Sequence, residues 1–399
     1  MRPARGALLC LLLSILGIGL AGYLFFIHLG LMRGELLGGA VCGGTGAFNC
    51  HAVTAGTWGS FLGMPLALWG ILGYLTIFAL AVLALDSAEL AEPVTALIFL
   101  LSLLFVVLDV GLFFLMAFVI QFYCAFCLLT YAVNLALLVC AARSLGRPLP
   151  HAFAAAGSSL QALVPSRARP AVGVFWGILL VGVAGTMGVH LSTTFVSRGD
   201  MGVMRKQMRD FLAKQPRVSI DTAGDPTMGQ PDGWLKIVEF SDFLCPACQR
   251  SSRLNPIILA NHRREAAFIF KHYPLDTSCN SRIQNMVHPG ACTVAAVSEC
   301  VHLQGKFWAF HDLVFAKGHD YNVGAVEKDV ATLGIDMDQY HACMAAGKGL
   351  EAVERDIAEA QKIGVLSTPT YIINGVPMAG GINPVIFEDF LAVLRESDR

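Results

Sequence analysis

Five apolar stretches constrain the fold of this chain more than any other feature of its sequence. A helix needs roughly 20 apolar residues to cross the ~30 Å hydrocarbon core of a bilayer. Five stretches meet that length, at residues 7–31, 61–85, 94–119, 122–142 and 171–195. The composition agrees, because 55% hydrophobic and 14% charged residues make the chain too apolar for an ordinary soluble enzyme. We therefore expect a membrane protein with five spans.

The first apolar stretch is expected to stay in the mature protein as a span. It is longer than the roughly 7 to 15 residues usual for the core of a signal peptide, and no small-x-small cleavage site follows it promptly.

Basic residues outside the spans predict the orientation of the chain. They lie before the first span or between the fourth and the fifth: Arg2, Arg5, Arg143, Arg147, Arg167 and Arg169. Because Lys and Arg favour the cytoplasmic side, everything after the fifth span is expected outside the cytoplasm. A formal net charge of -1 gives no reason to expect a nucleic-acid partner.

The composition changes to that of a soluble domain from about residue 200 onward. We predict a transmembrane domain at 1–143, a cytoplasmic loop and fifth span at 144–200, and a soluble domain at 201–399. Roughly 200 residues suffice to bury a core. The polar amphipathic stretch 203–214 is expected to be a connecting helix.

The twelve cysteines bear on the compartment. Cys10 and Cys140 lie singly within spans and are expected to be inert packing residues. The other ten map to the outer side of the membrane or its edge. Since disulfides persist outside the cytoplasm, the cysteine usage agrees with the predicted orientation.

The soluble domain contains the sequence FLCPACQR, in which Cys245 and Cys248 follow a predicted buried strand at 235–240. Pro246 suits the first turn of a helix. A helix N-terminus stabilises a thiolate at Cys245, and Cys248 is close enough to resolve a mixed disulfide. The alternative is half of a zinc site, which needs a second ligand pair nearby. The other C-x-x-C motif, Cys124 with Cys127, begins a membrane span. Its distance from Cys245 in the sequence does not suit a zinc ribbon.

Two further features accompany this pair. Thr368-Pro369-Thr370 enters a predicted strand, and Glu239 stands six residues before Cys245. With the C-x-x-C pair, these features resemble the thioredoxin fold, specifically the disulfide-forming branch of bacterial cell-envelope proteins, over about 230–397.

The resemblance implies roles for these residues. A cis-proline loop at Pro369 would pack against the redox pair and shape the substrate groove. Glu239 would be a buried carboxylate that exchanges protons with Cys248, the alternative being a capped or salt-bridged acid at a strand end. The roughly 95 residues before Thr368 would match the helical insertion of that branch.

The membrane half has its own motif, CAFCLLTYAVN at 124–134. Helical spacing brings Cys124 and Cys127 close enough for a disulfide and places Tyr131 one turn beyond Cys127 on the same face. Cys42 and Cys50 lie in the outer loop before the second span. Over 7–142 these features resemble the vitamin K epoxide reductase family, a catalytic four-helix bundle around a quinone. Bacterial members often carry a thioredoxin-like domain after a fifth span.

That second resemblance implies a quinone, menaquinone or ubiquinone, as cofactor. Cys127 would react with the quinone ring and Tyr131 would hydrogen-bond a quinone oxygen. Cys124 would exchange with Cys50, and Cys42 would face the thioredoxin-like domain. One position departs from the family, because Gly56 stands where a Ser or Thr is expected, with Thr57 adjacent.

The positions of the remaining acidic, cysteine and histidine residues also predict their roles. Asp109 lies within the third span, where an ionisable residue is a functional candidate; it would relay protons or pair with a hydroxyl in the bundle. The remaining extracytoplasmic cysteines are expected to form structural disulfides, and of three possible pairings we favour Cys279–Cys292 and Cys300–Cys343. The histidines at 272, 288, 302, 311 and 319 show no metal spacing, and packing or surface roles are expected.

The predicted architecture is a multi-domain membrane protein. It combines an all-α transmembrane four-helix bundle and a fifth linking span with a soluble α/β thioredoxin-like domain that carries a helical insertion. The bundle would lie in the cell inner membrane, and the soluble domain in the periplasm or another extracytoplasmic space.

The predicted function is quinone-dependent formation of disulfides in reduced extracytoplasmic client proteins, with electrons passing inward to the membrane quinone pool. Each step before the quinone is thiol–disulfide exchange and requires no metal. Two alternatives remain at this stage, a membrane-tethered reductase or isomerase that keeps clients reduced, and a non-enzymatic receptor with structural disulfides.

Overall fold

The computed structural model describes residues 3–32, 37, 42, 48–55, 57–145, 163–165, 170–318 and 320–397. Gly56, His319, Arg2 and most of the cytoplasmic loop with its later arginines lie outside the described residues. The chain divides into two compact units, one up to Val203 and one from Met204 onward.

The first unit is helical. Its helices are α1 (Pro3–Met32), α2 (Cys50–Ala55), α3 (Leu66–Asp86), α4 (Ala88–Phe114, continued by a π-helical segment Leu115–Ile120), α5 (Ala125–Leu145) and α6 (Pro170–Lys214). A 3-10 turn and a short antiparallel strand pair, β1 (Ser60–Phe61) and β2 (Met64–Pro65), precede α3. Because this hairpin takes up residues predicted as span, α3 begins later than the apolar stretch does.

Five described helices are long and apolar enough to cross a membrane. They are Arg5–Met32, Leu66–Asp86, Ala88–Ile120, Ala125–Leu145 and Pro170–Thr193. The five predicted spans are thus confirmed as helices. Their outward faces are apolar, with Leu180 68% and Val181 74% exposed, as expected of side chains that face lipid.

Helices α1, α3, α4 and α5 pack around a shared core that includes Ile77, Val94 and Leu137. Gly17 allows α1 to approach α3 closely, because a Cβ atom at this position would lie 2.4 Å from the Tyr74 ring. Small residues at such crossings are a common device for packing helices in lipid.

The second unit is built on a five-stranded sheet. Its strands are β3 (Thr227–Gly229), β4 (Leu235–Ser241), β5 (Ala266–His272), β6 (Thr370–Ile373) and β7 (Val376–Ala379), in the order β3-β5-β4-β6-β7. β4 and β5 are parallel, and the other neighbours are antiparallel. The central strand β4 is buried except at Lys236, as suits a strand covered on both faces.

Two of the described helices lie outside the insertion, α7 (Pro246–His262) between β4 and β5 and α13 (Pro384–Ser397) after β7. The insertion between β5 and β6 contains α8 (Ala291–His302), α9 (Phe307–Lys317), α10 (Val326–Ala331), α11 (Met337–Ala345) and α12 (Lys348–Ile363). Disulfides join Cys279 to Cys292 and Cys300 to Cys343. These are the two pairings that the sequence favoured, and the second ties α8 to α11.

Candidate active site

Cys245 and Cys248, hereafter the CPAC pair, lie at the start of α7, just after the turn that follows β4. Cys245 is the N-cap residue of α7 and Pro246 is its first residue, as the sequence predicted. Both cysteines are buried and unpaired by any disulfide. The Cys245 backbone N–H donates to the Asp242 carbonyl at 3.1 Å, and the Asp242 N–H donates to the Cys248 sulfur at 3.5 Å. The preceding turn therefore holds the Cys245 backbone and the Cys248 sulfur.

The two thiols differ in acidity. Hydrogen bonding from Cys248, with help from backbone N–H groups at the start of α7, lowers the pKa of Cys245 to about 5 against the opposing effect of burial. Burial, followed by the hydrogen bond to Cys245, raises the pKa of Cys248 well above its usual range. Cys245 is therefore the more acidic thiol of the pair, and the thiolate is the reactive form of a cysteine.

Pro369 lies beside this pair. The Thr368–Pro369 peptide bond is cis, a feature the sequence could not show. The Cys245 thiol donates to the Thr368 carbonyl at 3.6 Å. The structure thus brings the proline loop and the CPAC pair together.

Glu239 lies in β4 with 1% of its surface exposed. The Asn255 amide donates to its carboxylate at 2.7 Å, and the Tyr371 hydroxyl in turn donates to the Asn255 carbonyl oxygen at 2.9 Å. Burial raises the pKa of Glu239 to about 7, and the hydrogen bonds from Asn255, Ser241 and Tyr371 oppose that rise. A carboxyl group that titrates near neutral pH is suited to proton exchange.

The membrane unit contains two disulfides, the loop pair Cys42–Cys50 and the span pair Cys124–Cys127. Cys42, Cys50 and Cys124 are fully buried.

A backbone link lies next to both disulfides. The residue before Cys50 is bonded to the residue before Cys124, because the Asn49 N–H donates to the Tyr123 carbonyl at 2.9 Å. Phe48 forms a parallel bridge with Tyr123. This link holds the segment that enters α2 against the segment that enters α5.

A cavity of about 230 Å³ opens beside the span pair, within the membrane unit. Its lining is mostly apolar and includes Trp58, Trp69 and Phe105 from the described residues. Cys127 and Tyr131 both line it, so the structure places the two predicted quinone-contacting residues in one pocket. Binding sites for small apolar ligands usually have this character, an apolar lining with a few convergent polar groups.

Three polar side chains that line this cavity form a chain of hydrogen bonds across three helices. The Tyr74 hydroxyl donates to the Asn134 carbonyl oxygen at 2.7 Å, and the Asn134 amide donates to the Asp109 carboxylate at 2.8 Å. The partner of Asp109 is therefore an amide rather than the hydroxyl considered from the sequence. Tyr74 and Asn134 were not predicted as site residues, although Asn134 was a polar residue within a span and hence a visible signal.

Cys10 and Cys140 pack in the core of the bundle, as expected, but they are not isolated from each other. The sequence treated each as an isolated packing residue, yet the Cys10 thiol donates to the Cys140 sulfur at 3.4 Å. Both are buried, 1% and 4% exposed, and neither lines the cavity. Their proximity could not be predicted, because 130 residues separate them.

Two family models match this chain, one in each unit. Residues 8–142 match the vitamin K epoxide reductase family, and residues 221–394 match a thioredoxin family. Within the part of the chain that the structure describes, no three His, Cys, Asp or Glu side chains are grouped to hold a metal ion.

Curated relatives include proteins named Na(+)/H(+) antiporter NhaA. One from Mycolicibacterium gilvum is 28% identical over 158 residues, which is 39% of this chain and 24% of the relative. One from Herminiimonas arsenicoxydans is 25% identical over 283 residues, 67% of this chain and 42% of the relative. The chain thus spans less than half the length of these relatives.

Similar solved structures include a thioredoxin-like oxidoreductase from Silicibacter pomeroyi. It is 22% identical to this chain, and the TM-score is 0.38. The match covers 44% of this chain and 94% of the other. Oxidised BdbD from Bacillus subtilis is 24% identical, with a TM-score of 0.38. That match covers 45% of this chain and 98% of BdbD.

The apolar helices and the first family match thus fall in the helical unit, and the second family match falls in the α/β unit. A match to the vitamin K epoxide reductase family on the N-terminal side and to a thioredoxin family on the C-terminal side is the combination that the sequence resemblances predicted.

Proposed function

We propose that this protein is a quinone-dependent thiol–disulfide oxidoreductase that forms disulfides in extracytoplasmic client proteins. The observation that carries the proposal is the cavity beside the span pair, which Cys127 lines. The bundle would sit in the cell inner membrane, with the thioredoxin-like domain on the outer side, as the basic residues flanking the spans predict.

The residues of the cavity fit a quinone. Apolar side chains with Trp58 and Trp69 suit a flat ring, while Tyr131 and the Asn134 amide offer hydrogen-bond donors suited to carbonyl oxygens. Bound there, a quinone would supply a two-electron, two-proton acceptor for the reduced span pair.

The first stage of the proposed reaction takes place at the CPAC pair in its oxidised form. A client thiolate attacks Cys245, forming a mixed disulfide and releasing Cys248 as a thiolate. Because the pKa of Cys248 is raised and that of Glu239 lies near 7, the Glu239 carboxyl group gives Cys248 its proton. A second client thiolate then displaces Cys245, and the client leaves with a new disulfide.

The second stage reoxidises the CPAC pair. The Cys245 thiolate attacks Cys42 of the loop pair and releases Cys50. Cys248 loses its proton to Glu239 and resolves the mixed disulfide, which restores the CPAC disulfide and leaves the loop pair as a dithiol.

The third stage moves two electrons to the edge of the cavity. Cys50 attacks Cys124 and releases Cys127 as a thiolate that lines the cavity. Cys42 then displaces Cys124 and regenerates the loop disulfide. The contact between Asn49 and Tyr123 supports this exchange, because it keeps the two segments that carry the reacting sulfurs together.

Asp109 is proposed to hold a proton for the reaction in the cavity. It lines the same pocket as Cys127, and the Asn134 amide fixes its carboxylate. Asp109→Asn keeps the size of the side chain and removes the proton site, so quinol formation should slow on the order of tenfold or more. Unchanged turnover in this variant would leave Asp109 with a packing role only.

The whole proposal is tested by incubating the full-length protein in detergent with a reduced, unfolded client and a quinone. Client oxidation with quinol production is expected. Cys127→Ala should abolish quinol formation while Cys245 still forms a mixed disulfide with the client. Cys140→Ala is the matched control, since it removes a buried thiol from the same helix, away from the cavity.

Three other results would each contradict the proposal. If Cys127→Ala reduces quinone at the wild-type rate, the cavity assignment is wrong. Net reduction of client disulfides would favour a reductase, and complete inertness toward thiols would favour a receptor.

A further inference from the structure

Asp242 lies fully buried in the turn between β4 and the CPAC pair, with 0% of its side chain exposed. Its carboxylate accepts three hydrogen bonds. Two come from the backbone N–H groups of Leu244 and Leu275, each at 2.8 Å, and the third from Nδ1 of His288 at 2.7 Å. A buried carboxylate that accepts a hydrogen bond from a histidine ring nitrogen favours the protonated form of the imidazole.

The same residue touches both sulfur-bearing residues through its backbone. Its carbonyl accepts the Cys245 N–H at 3.1 Å, and its N–H donates to the Cys248 sulfur at 3.5 Å. His288 is therefore connected to the CPAC pair through a single residue, although it lies 46 positions from Asp242 in sequence.

The loop that carries His288 is held in place. The Cys279–Cys292 disulfide encloses it, and Asp276 accepts the N–H of Gly290 at 2.8 Å. The His288 backbone N–H also donates to the Leu275 carbonyl at 3.0 Å. These contacts fix the loop, and the imidazole, 15% exposed, lies against Asp242 in the turn that precedes the CPAC pair.

We propose that His288, oriented by Asp242, is a positioning residue that presents a positive charge to Cys245 and stabilises its thiolate. The proposal deepens the proposed function and rests on it, because it bears on the direction in which the CPAC pair drives thiol exchange. The sequence Cys-Pro-Ala-Cys has no charged residue between its cysteines, so a cation here must come from elsewhere in the fold.

Electrostatics support this geometry. The hydrogen bond to Asp242 raises the pKa of His288 against the effect of burial, and the Cys245 thiolate raises it further. Since the pKa of Cys245 is about 5, His288 is still protonated where Cys245 titrates. The interaction is reciprocal: a thiolate that stabilises the imidazolium is itself stabilised by it.

The other ionisable groups facing Cys245 are Glu239 on β4 and Cys248 on α7. The pKa of Glu239 is raised to about 7 by burial, and that of Cys248 is raised well above its usual range. Both are therefore neutral where Cys245 titrates, and Asp242 is paired with His288. Among the described residues that interact with Cys245, no second free anion therefore offsets the charge of His288.

The stabilised thiolate has a redox consequence. Lowering the free energy of the reduced CPAC pair makes its disulfide more oxidising. His288 would therefore favour removal of electrons from clients over their return.

The test uses the full-length protein in detergent and follows alkylation of Cys245 against pH by the mass of its peptide. His288→Asn keeps a hydrogen-bond donor near the position of Nδ1 but removes the positive charge. The pH midpoint of Cys245 alkylation should therefore rise by about one pH unit. His288→Arg keeps the charge and should remain near the wild-type midpoint. His341→Gln is the control, because His341 pairs with Glu327 at an exposed site on α11.

A second readout is the oxidised fraction of the CPAC pair in glutathione buffers. For His288→Asn the equilibrium constant should shift about tenfold toward the disulfide, which corresponds to about 30 mV. Neither readout requires quinone. Failure of quinone reduction therefore leaves this inference standing, and failure here leaves the proposed electron acceptor standing.

Two results would overturn the inference. One is a pH midpoint of Cys245 alkylation that does not change in His288→Asn. The other is a midpoint that rises in His288→Arg as far as it rises in His288→Asn. If His288→Asn does not fold, histidine NMR of the wild-type protein decides. The His288 midpoint should be higher with the CPAC pair reduced than with it oxidised, and equal midpoints would refute the charge coupling.

Discussion

At the scale of single residues, Glu239 gives a pH-dependent prediction. Its folded pKa of about 7 lies above the ordinary value of 4.5, so the folded state binds more protons than the unfolded state between these two values. Stability contributed by protonated Glu239 is therefore present at low pH and lost as pH rises from about 4.5 to 7.

Glu239→Gln should remove that loss, a difference on the order of 3 kcal/mol, and raise the melting temperature relative to wild type above pH 7. The same variant should reoxidise its CPAC pair about tenfold more slowly or worse, because Cys248 loses its proton acceptor. Thermal unfolding and stopped-flow reoxidation measure the two effects. Glu354→Gln, at an exposed position on α12, is the control, and equal behaviour of both variants would remove Glu239 from the mechanism.

The residue scale also shows what the sequence could predict. The CPAC pair, Glu239 and Tyr131 were predictable because each lies in a short local motif. His288 was expected to have an ordinary packing or surface role, since its contact with Asp242 spans 46 positions and leaves no local pattern. Such a pairing is decided by where the insertion folds back, which periodicity does not encode.

At the scale of elements, the crossing of α1 and α3 controls the shape of the cavity. An added Cβ at Gly17 would lie 2.4 Å from the Tyr74 ring, and Tyr74 lines the cavity and bonds Asn134. Gly17→Ala should therefore displace Tyr74, costing roughly 1–3 kcal/mol and raising the apparent KM for quinone several-fold. Quinone titration of the initial rate measures the effect.

Gly19→Ala on the same helix is the matched control, because a Cβ there meets nothing within 4 Å. Similar kinetics in the two variants would show that the cavity does not depend on this crossing. The elements themselves were largely predictable, since apolar length specifies each span. The hairpin that delays α3 and the hydrogen bonds joining α3, α4 and α5 depend on tertiary packing and were not.

At the scale of the whole molecule, the proposed function requires one continuous route for electrons through three cysteine pairs. Family matches to both units were within reach of the sequence, because C-x-x-C motifs and hydrophobic length are local signals. The pairing of Cys300 with Cys343, 43 residues apart, was favoured among three alternatives but not specified by spacing. The chain of polar groups in the cavity was only partly predictable, since Tyr74 joins it through its position beside Asn134.

The most direct test is an anaerobic turnover of the full-length protein with a reduced client and a limiting quinone, in which client disulfides and quinol are both counted. One quinol is predicted for each client disulfide, whereas Cys127→Ala should form no quinol and should stop oxidising the client once its own CPAC and loop disulfides are consumed. Client oxidation that continues without quinol formation would contradict it, because the electrons would then leave by another route.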